Sequence, residues 1–350
     1  MSRIVLSPSG QSIDCRDGDT VLSALEAAGY AYPNNCRAGA CGECKVKVLA
    51  GEFAQGLVLD MALTGAERAA GFGLMCMAKP LSAELVIDWG APDARPKLFP
   101  PRENMPFVVV DKLPRTPLIV ELKLRPLGEP MRYWPGQHVL VRDGDGRRPA
   151  RSYSLAAAPR PDGELTLQVT RIGGGATSPW IHDDLAAGDV VTLSGPFGTF
   201  VGDPTVETPV LCLAAGSGLA PILSLAEAAL RRGFALPVTL LFSARTPEHV
   251  YESGLLRYWE RRYRNFRFLT TFTRSRTPST EGSLSGRIPA VLPSLFPDLS
   301  RHSVFVAGSP EFVADCVAAA KALGANERLL HTEGFFAQSE AGAGAGTSAG

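Results

Sequence analysis

Four of the chain's 7 cysteines stand in a spacing that suits an iron–sulfur cluster. Cys36, Cys41 and Cys44 form a C-x4-C-x2-C pattern, and Cys76 follows alone further along the chain. In the plant-type arrangement, four thiolates at this spacing bind a [2Fe–2S] cluster. A structural zinc site is the alternative, but such sites usually pair two closely spaced knuckles, and Cys76 has no near neighbour. The pattern therefore favours iron and sulfide over zinc.

Two short motifs could together bind a flavin nucleotide. Arg151–Ser154 reads R-x-Y-S, and Arg171–Ser178 carries three consecutive glycines ahead of a predicted helix. A glycine-rich loop that leads into a helix presents free N–H groups to a phosphate. Arg151 adds a fixed positive charge. Either motif alone is weak evidence, but the two in this order predict a flavin site.

A third motif follows the predicted strand Val210–Ala214. Gly216, Gly218 and Pro221 form G-x-G-x-x-P, which differs from the G-x-G-x-x-G dinucleotide fingerprint at its last position. The motif lies between a strand and a helix whose first turn accepts proline. We interpret it as the pyrophosphate loop of a nicotinamide dinucleotide site.

The elements that must position these motifs fall into segments of different composition. Residues 1–90 combine short strands with a helical run, and residues 91–102 are rich in proline, which predicts a linker. Residues 103–203 read as short β-runs of an antiparallel barrel or sandwich. In residues 204–338 apolar strands alternate with helices, which predicts a parallel sheet covered on both faces. We expect residues 339–350 to be a disordered tail.

Charge and hydropathy exclude several classes of protein. Basic and acidic residues both number 35, so no basic excess favours nucleic acid or anionic lipid. No apolar run reaches the ~18 residues of a membrane span, and the first residues do not resemble a secretory signal. We expect a cytoplasmic protein, in which clustered cysteines bind metal more often than they form disulfides.

The cysteine, flavin and nucleotide motifs together resemble the ferredoxin-fused, FAD-dependent ferredoxin–NADP reductase family, which includes reductase components of ring-hydroxylating oxygenase systems. The resemblance covers nearly the whole chain except the tail. It implies a multidomain α+β fold, in which a β-grasp plant-type ferredoxin precedes an antiparallel β-barrel FAD domain and an α/β NAD(P) domain. It also implies a [2Fe–2S] cluster, FAD rather than FMN, and NADPH, with NADH as the alternative donor.

The resemblance assigns roles to single residues. Tyr153 would pack on the isoalloxazine ring, and Ser154 would hydrogen-bond near its N5 atom. Glu333 is the second predicted catalytic residue, and Phe335 would approach the flavin. The predicted metal ligands are the four cysteines named above, and the remaining predicted cofactor contacts are Arg151, Arg171, Gly174, Gly175, Thr177, Ser178, Gly216, Gly218, Pro221 and Gly308.

One position departs from the family pattern. A Cys-Gly pair commonly follows the fourth strand of the NAD(P) domain, with its thiol near the nicotinamide. Here Ala307 stands in place of that cysteine, followed by Gly308. We predict that nicotinamide still binds, and that hydride transfer relies on Ser154 with positioning by Gly308 and Glu333.

Three arginines bear on the choice of nicotinamide. Arg245, Arg274 and Arg287 resemble the arginines that clamp the 2′-phosphate in bacterial ferredoxin–NADP reductases. Glu248 is the nearby acidic residue that could instead bind ribose hydroxyls. The balance predicts a preference for NADPH.

The expected electron path runs from NADPH through FAD and the cluster to an external acceptor. A flavin suits this path because it accepts a hydride and releases electrons singly. We expect a monomer whose acceptor is an oxygenase component or a small ferredoxin. A reductase of deoxysugar biosynthesis and an iron–sulfur redox sensor remain alternatives. The 5 histidines show no metal spacing, and we expect most of them at the surface.

Overall fold

The computed structural model describes residues 1–90, 97–203, 206–274 and 283–335. Two compact units divide the chain. The first consists of Met1–Pro101 with the short segment Pro196–Thr199, and the second of Arg102–Gly195 with Phe200–Phe336. Most of the predicted linker (91–96) and the predicted tail lie outside the described residues.

The first unit is built on a five-stranded mixed sheet in the order β2-β1-β7-β3-β5, with β4 and β6 paired separately. Strand β1 alternates, so that Ile4 and Leu6 are fully buried while Arg3 is not. The central pair β1 and β7 is parallel. Its elements are β1 (Ser2–Ser7), β2 (Ser12–Cys15), α1 (Val21–Ala27), β3 (Lys45–Ala50), β4 (Phe53–Gln55), α2 (Gly65–Ala69), β5 (Phe72–Leu74), β6 (Ala78–Pro80) and β7 (Glu84–Asp88).

The first half of the second unit is an antiparallel sheet of six strands in the order β11-β10-β13-β8-β9-β12. A bridge between Leu155 and Leu167 joins the two edges, so the sheet nearly closes into a barrel. Closure removes exposed strand edges and encloses an apolar core. Its elements are β8 (Arg102–Thr116), β9 (Ile119–Pro126), β10 (His138–Asp143), β11 (Arg151–Ser154), β12 (Leu165–Thr170), α3 (Thr177–Asp183) and β13 (Val190–Phe197).

The remainder of the second unit is a parallel sheet in the order β17-β16-β15-β14-β18-β19. Strand β18 is buried along its whole length, as expected of a strand with helices on both faces. Its elements are β14 (Val210–Ala215), α4 (Leu219–Arg231), β15 (Val238–Ala244), α5 (Ser253–Arg262), β16 (Phe266–Phe272), β17 (Ser283–Ser285), α6 (Ile288–Leu295), β18 (Ser303–Gly308), α7 (Pro310–Ala322) and β19 (Leu330–Gly334).

The predicted fold class is confirmed in each part of the chain. The near-closed sheet favours the barrel over the sandwich for the middle segment. Strand β8 is 15 residues long, unlike the short β-runs predicted for this segment, because its second half continues to pair with β9 across two bulges. None of the described helices is long and apolar enough to span a membrane.

Candidate functional site

The four cysteines of the motif form two pairs. Cys36, Cys41 and Cys44 lie on the loop between α1 and β3, and Cys76 lies between β5 and β6. The thiols of Cys36 and Cys41 share a hydrogen bond, and those of Cys44 and Cys76 share another. The Met75 amide, which donates to the Cys44 carbonyl at 3.0 Å, holds the two segments together.

This pairing fits a [2Fe–2S] cluster better than a zinc ion. Each iron of such a cluster takes two protein ligands, whereas a structural zinc gathers four around one point. In residues 1–90, 97–203, 206–274 and 283–335, no three His, Cys, Asp or Glu side chains converge on a single ion. Two thiol pairs would supply two ligands to each of two irons.

The loop also stabilises the thiolate form that binds iron. The hydrogen bond from the Cys41 thiol and those from the amides of Ala38, Ala40 and Cys41, at 3.3–3.4 Å, lower the pKa of Cys36 to about 5 despite its burial. Gly39 is required here, because a Cβ atom at this position would lie 2.7 Å from the Leu57 carbonyl oxygen.

The flavin motif R-x-Y-S forms strand β11, which pairs with β10. Ser154 stands opposite His138, and Tyr153 stands opposite Val139. Ser154 is buried, whereas the Tyr153 ring is half-buried. Burial raises the pKa of the Tyr153 hydroxyl, which therefore stays neutral. A partly exposed aromatic ring on a strand, next in sequence to a buried serine, suits contact with a flat cofactor.

The glycine loop after β12 is exposed and open. No atom lies within 4 Å of the Cβ positions of Gly173 and Gly174, and Gly174 has a φ of +75°. The loop is held by the Ile172 amide, which donates to the Ser178 hydroxyl at 3.0 Å. Free space beside exposed backbone amides is what a pyrophosphate needs, so the residues present fit a flavin dinucleotide.

Two of the predicted cofactor contacts, Thr177 and Arg171, have other partners. The Thr177 hydroxyl donates to the Pro149 carbonyl at 2.6 Å, so its single proton is already used. Arg171 forms a bidentate ion pair with Asp183, with N–O distances of 2.6 and 2.7 Å. The contacts predicted for these two side chains stay predictions.

The nucleotide motif forms a 3-10 turn, Gly216–Gly218, between β14 and α4. Gly216 is exposed, with a φ of +56° and open space at its Cβ position. A Cβ atom on Gly218 would lie 2.1 Å from the Ala307 carbonyl oxygen, so only glycine lets the turn pack on β18. Pro221 is buried in the first turn of α4. This open turn ahead of a helix can accept a dinucleotide phosphate.

The flavin motif and the nucleotide turn meet through β18 and β19. Glu333 stands opposite Ala307, which packs against Gly218. The Oε1 atom of Glu333 lies 3.7 Å from Nδ1 of His138, the residue opposite Ser154. The Phe335 amide donates to the Gly308 carbonyl at 2.9 Å. The structure thus brings together the residues on which hydride transfer was predicted to rely.

The three predicted phosphate-binding arginines lie at the same edge of the parallel sheet. The Arg274 amide donates to the Arg245 carbonyl at 3.0 Å, which places these two residues side by side beyond β15 and β16. Both are exposed. Arg287 precedes α6 and lies 3.6 Å from Asp315, also at the surface. Two adjacent exposed guanidinium groups can bind a phosphate monoester.

Four of the 5 histidines are partly exposed, and His138 is the exception, at only 2% exposed. His331 stacks on Phe305 with a 4.4 Å separation of ring centroids. The contact between His138 and Glu333 was missed because it joins residues far apart in the chain, and no local spacing marks it.

Comparison with known proteins agrees with this geometry. Three family models match: a 2Fe-2S iron-sulfur cluster binding domain at residues 4–81, an oxidoreductase FAD-binding domain at 110–201 and an oxidoreductase NAD-binding domain at 212–318. The chain is 34% identical over 336 residues to the reductase subunit of an aromatic O-demethylase from Amycolatopsis, covering 94% of this chain and 98% of that protein. This chain belongs to the ferredoxin-fused flavin reductase family.

Two further relatives support the assignment. The reductase is 35% identical over 269 residues to the reductase component of phenol 2-monooxygenase from a Pseudomonas species, covering 76% of this chain and 74% of that one. The crystal structure of the Amycolatopsis cytochrome P450 reductase GcoB superposes with a TM-score of 0.86 at 30% identity, covering 96% and 99% of the two chains. The reductase is an oxidoreductase with sites for NAD(P)H, FAD and [2Fe–2S].

Proposed function

We propose that this reductase passes single electrons to the oxygenase component of a system that oxidises aromatic compounds. The observation that carries the proposal is the paired-thiol site on a loop whose Ala38 and Glu43 are exposed, in a chain that also carries hydride-accepting domains. The relatives include a reductase component of terephthalate 1,2-dioxygenase from Comamonas, 29% identical over 337 residues. Their names favour an oxygenase acceptor over deoxysugar biosynthesis or redox sensing.

FAD, when bound, accepts two electrons as a hydride and releases them one at a time. In our proposal, Arg151 and the amides around Gly174 and Gly175 hold its phosphates. Tyr153 would contact the flavin ring, and Ser154 would lie near its hydride-accepting atom. The Ser154 backbone is fixed by its pairing with His138 before the nicotinamide arrives.

In our proposal the nicotinamide dinucleotide lies across the Gly216–Gly218 turn. Its 2′-phosphate would bind between Arg245 and Arg274, with Arg287 nearby, which favours NADPH over NADH. Ala307 presents no thiol to the nicotinamide. Positioning therefore falls to the backbone at Gly308 and to the carboxylate of Glu333, which is buried and faces His138.

We further propose that the protein works in the cytoplasm, because its cluster ligands must stay reduced until iron is bound. A small ferredoxin would be an alternative acceptor, because the exposed rim of the cluster loop suits any partner that docks briefly. Such electron-transfer contacts are usually small and transient.

An anaerobic stopped-flow experiment tests the internal steps. Mixing the holoprotein with NADPH should bleach the flavin absorbance first and the cluster absorbance second. Negligible flavin reduction by both NADPH and NADH would refute the proposed hydride site with Ala307 in place of cysteine.

Reconstitution tests the acceptor. Purified oxygenase components from an aromatic O-demethylase, a phenol monooxygenase and a terephthalate dioxygenase would each be supplied with NADPH and this reductase. Product formation with at least one of them, above the rate with free reduced flavin, supports an oxygenase acceptor. Rapid cytochrome c reduction without transfer to any oxygenase would contradict it.

A further inference from the structure

A second cluster of charged groups lies beneath the nucleotide turn. The Glu121 carboxylate accepts a hydrogen bond from Arg115 at 2.9 Å and lies 3.2 Å from the Lys123 ammonium group. The Glu252 carboxyl group lies 3.2 Å from the same Arg115 guanidinium group, so the two acidic side chains share one cation. Glu121 is 2% exposed. Two acidic and two basic side chains thus lie together where β8 and β9 contact the loop before α5.

A chain of hydrogen bonds connects this cluster to the nucleotide turn. The Gln168 side-chain amide donates to Glu121 at 3.4 Å, and its oxygen lies 3.1 Å from the Tyr251 hydroxyl. The same hydroxyl lies 3.0 Å from the Gly216 carbonyl oxygen. Tyr251 has one hydroxyl proton for two acceptors, so it can fully satisfy only one of them.

The geometry at Glu252 is unusual for its residue type. Its φ of 58° lies in the left-handed region, where a glutamate is rarely found. This backbone turns Glu252 toward Glu121 while the adjacent Tyr251 reaches Gly216. A residue held in such a conformation is commonly part of a functional arrangement.

The groups around Glu252 favour its protonated form. Burial, and after it the neighbouring Glu121 carboxylate, raise the pKa of Glu252 to about 7 against the lowering effect of Arg115 and Lys123. Although burial opposes it, the hydrogen bond from Arg115 and the charge of Lys123 lower the pKa of Glu121. The pair therefore holds one proton, on Glu252.

We propose that Tyr251 and Glu252 position the nucleotide turn, and that the proton held between Glu121 and Glu252 is coupled to dinucleotide binding. The inference rests on the proposed role of Gly216–Gly218 as the pyrophosphate loop. Neither residue touches the reacting atoms, so both act as positioning residues.

The coupling follows from the direction of the hydrogen bonds. When the pair loses its proton, the added negative charge draws the Gln168 amide toward Glu121 and makes the Gln168 oxygen a stronger acceptor. The Tyr251 proton then moves toward Gln168 and away from Gly216. The turn loses a donor and gains a nearby negative charge, and both changes disfavour an anionic dinucleotide. By linkage, binding must raise the proton affinity of the pair to the same extent.

Isothermal titration calorimetry of the oxidised holoprotein tests this coupling without turnover. NAD⁺ is the probe, because it lacks the 2′-phosphate, which itself titrates near neutral pH. Titrations at pH 7 in buffers of different ionisation enthalpy give the number of protons taken up. We expect a fraction of a proton taken up per NAD⁺ bound, and a Kd that rises about fivefold from pH 6 to pH 8, as for the loss of one hydrogen bond.

Two variants separate the parts of the proposal. Glu252→Gln keeps a donor toward Glu121 but cannot release a proton, so proton uptake at pH 7 and the pH dependence of Kd should disappear. Tyr251→Phe should weaken NAD⁺ binding about fivefold at pH 6. The matched controls are Glu129→Gln and Tyr258→Phe, since both residues are exposed, at 87% and 59%.

The outcomes distinguish the two assignments. Equal proton uptake in the wild type and in Glu252→Gln would overturn the coupling. If NAD⁺ still binds in that case, the assignment of Gly216–Gly218 as the pyrophosphate loop stands. Binding of neither NAD⁺ nor NADP⁺ would refute the pyrophosphate loop and this inference with it.

Discussion

The Nδ1 atom of His138 lies 3.7 Å from the Oε1 atom of Glu333, and both side chains are almost fully buried. This distance is too long for a hydrogen bond. It connects the barrel strand opposite Ser154 to the last strand of the parallel sheet. The two halves of the proposed hydride-transfer site are therefore joined by a pair of titratable groups.

We expect Glu333→Gln to slow flavin reduction by NADPH roughly 100-fold, the usual scale for removing a positioned acid or base. His138→Gln should slow flavin reduction less, because His138 acts on the Glu333 carboxylate rather than on the nicotinamide. Stopped-flow absorbance at several pH values measures both effects. Glu311→Gln, at an exposed carboxylate on α7, is the control. Rates equal to the wild type in both variants would contradict the proposed role of this pair.

Replacing one cluster ligand should separate the two halves of the electron path. Cys41→Ser should abolish the visible absorbance of the cluster and reduce cytochrome c turnover more than 10-fold, a rough estimate from losing one redox centre, while flavin reduction by NADPH persists. Cys212→Ala, at a buried cysteine outside the motif, should retain the cluster. Full iron content in Cys41→Ser would count against the assigned ligand set.

The adjacent arginines should determine nicotinamide preference. Arg245→Ala combined with Arg274→Ala should raise KM for NADPH at least 10-fold, about the effect of one charge-assisted hydrogen bond, and leave KM for NADH almost unchanged. Arg261→Ala, at an exposed position on α5, serves as the control. If the ratio of the two KM values does not move, the 2′-phosphate is bound elsewhere.

Two glycine substitutions should behave in opposite ways. Gly218→Ala places a Cβ atom 2.1 Å from the Ala307 carbonyl oxygen, so we expect a loss of about 1–3 kcal/mol in unfolding free energy and weaker NADP⁺ binding. Gly254→Ala meets no atom within 4 Å and lies in a helix, where alanine is favoured. Urea unfolding of both variants measures the difference. Equal stabilities would argue against close packing of the turn on β18.

Glu252 should make stability depend on pH. Its pKa of about 7 in the folded protein lies above the ordinary value of 4.5, so its stabilising contribution is complete below pH 4.5 and is lost as the pH rises through 7. Glu252→Gln should therefore unfold about 2 °C above the wild type at pH 8 and at about the same temperature as the wild type at pH 4.5. Thermal melts of both proteins at the two pH values measure this difference in unfolding temperature, and Glu129→Gln is the control. A difference that does not change with pH would contradict the assigned proton.

The sequence predicts the features that depend on local spacing. The cysteine spacing indicates the cluster, and alternating or continuous apolar runs indicate the strands of barrel and parallel sheet. Contacts such as His138 with Glu333, or Tyr251 with Gly216, depend on which strands become neighbours after folding. No periodicity within a single segment encodes that order, so these contacts emerge only from the structure.

The burial of His138 could not be predicted for a related reason. A histidine in a β-run of mixed polarity has no local sign of which face it occupies. His138 faces inward because it stands opposite the buried Ser154 and meets a carboxylate from β19. Burial of a polar residue is decided by a partner, and that partner lies elsewhere in the chain.

The position of Cys76 has a consequence for the biosynthesis of the protein. Cys76 follows Cys44 by 32 residues, and its place is fixed when β3 pairs with β5 and β4 pairs with β6. A nascent chain that ends before Cys76 can offer one complete thiol pair but not the second. Cluster insertion must therefore follow folding of the first domain. The visible absorbance of the purified protein then reports the fraction of molecules that folded this domain and received a cluster.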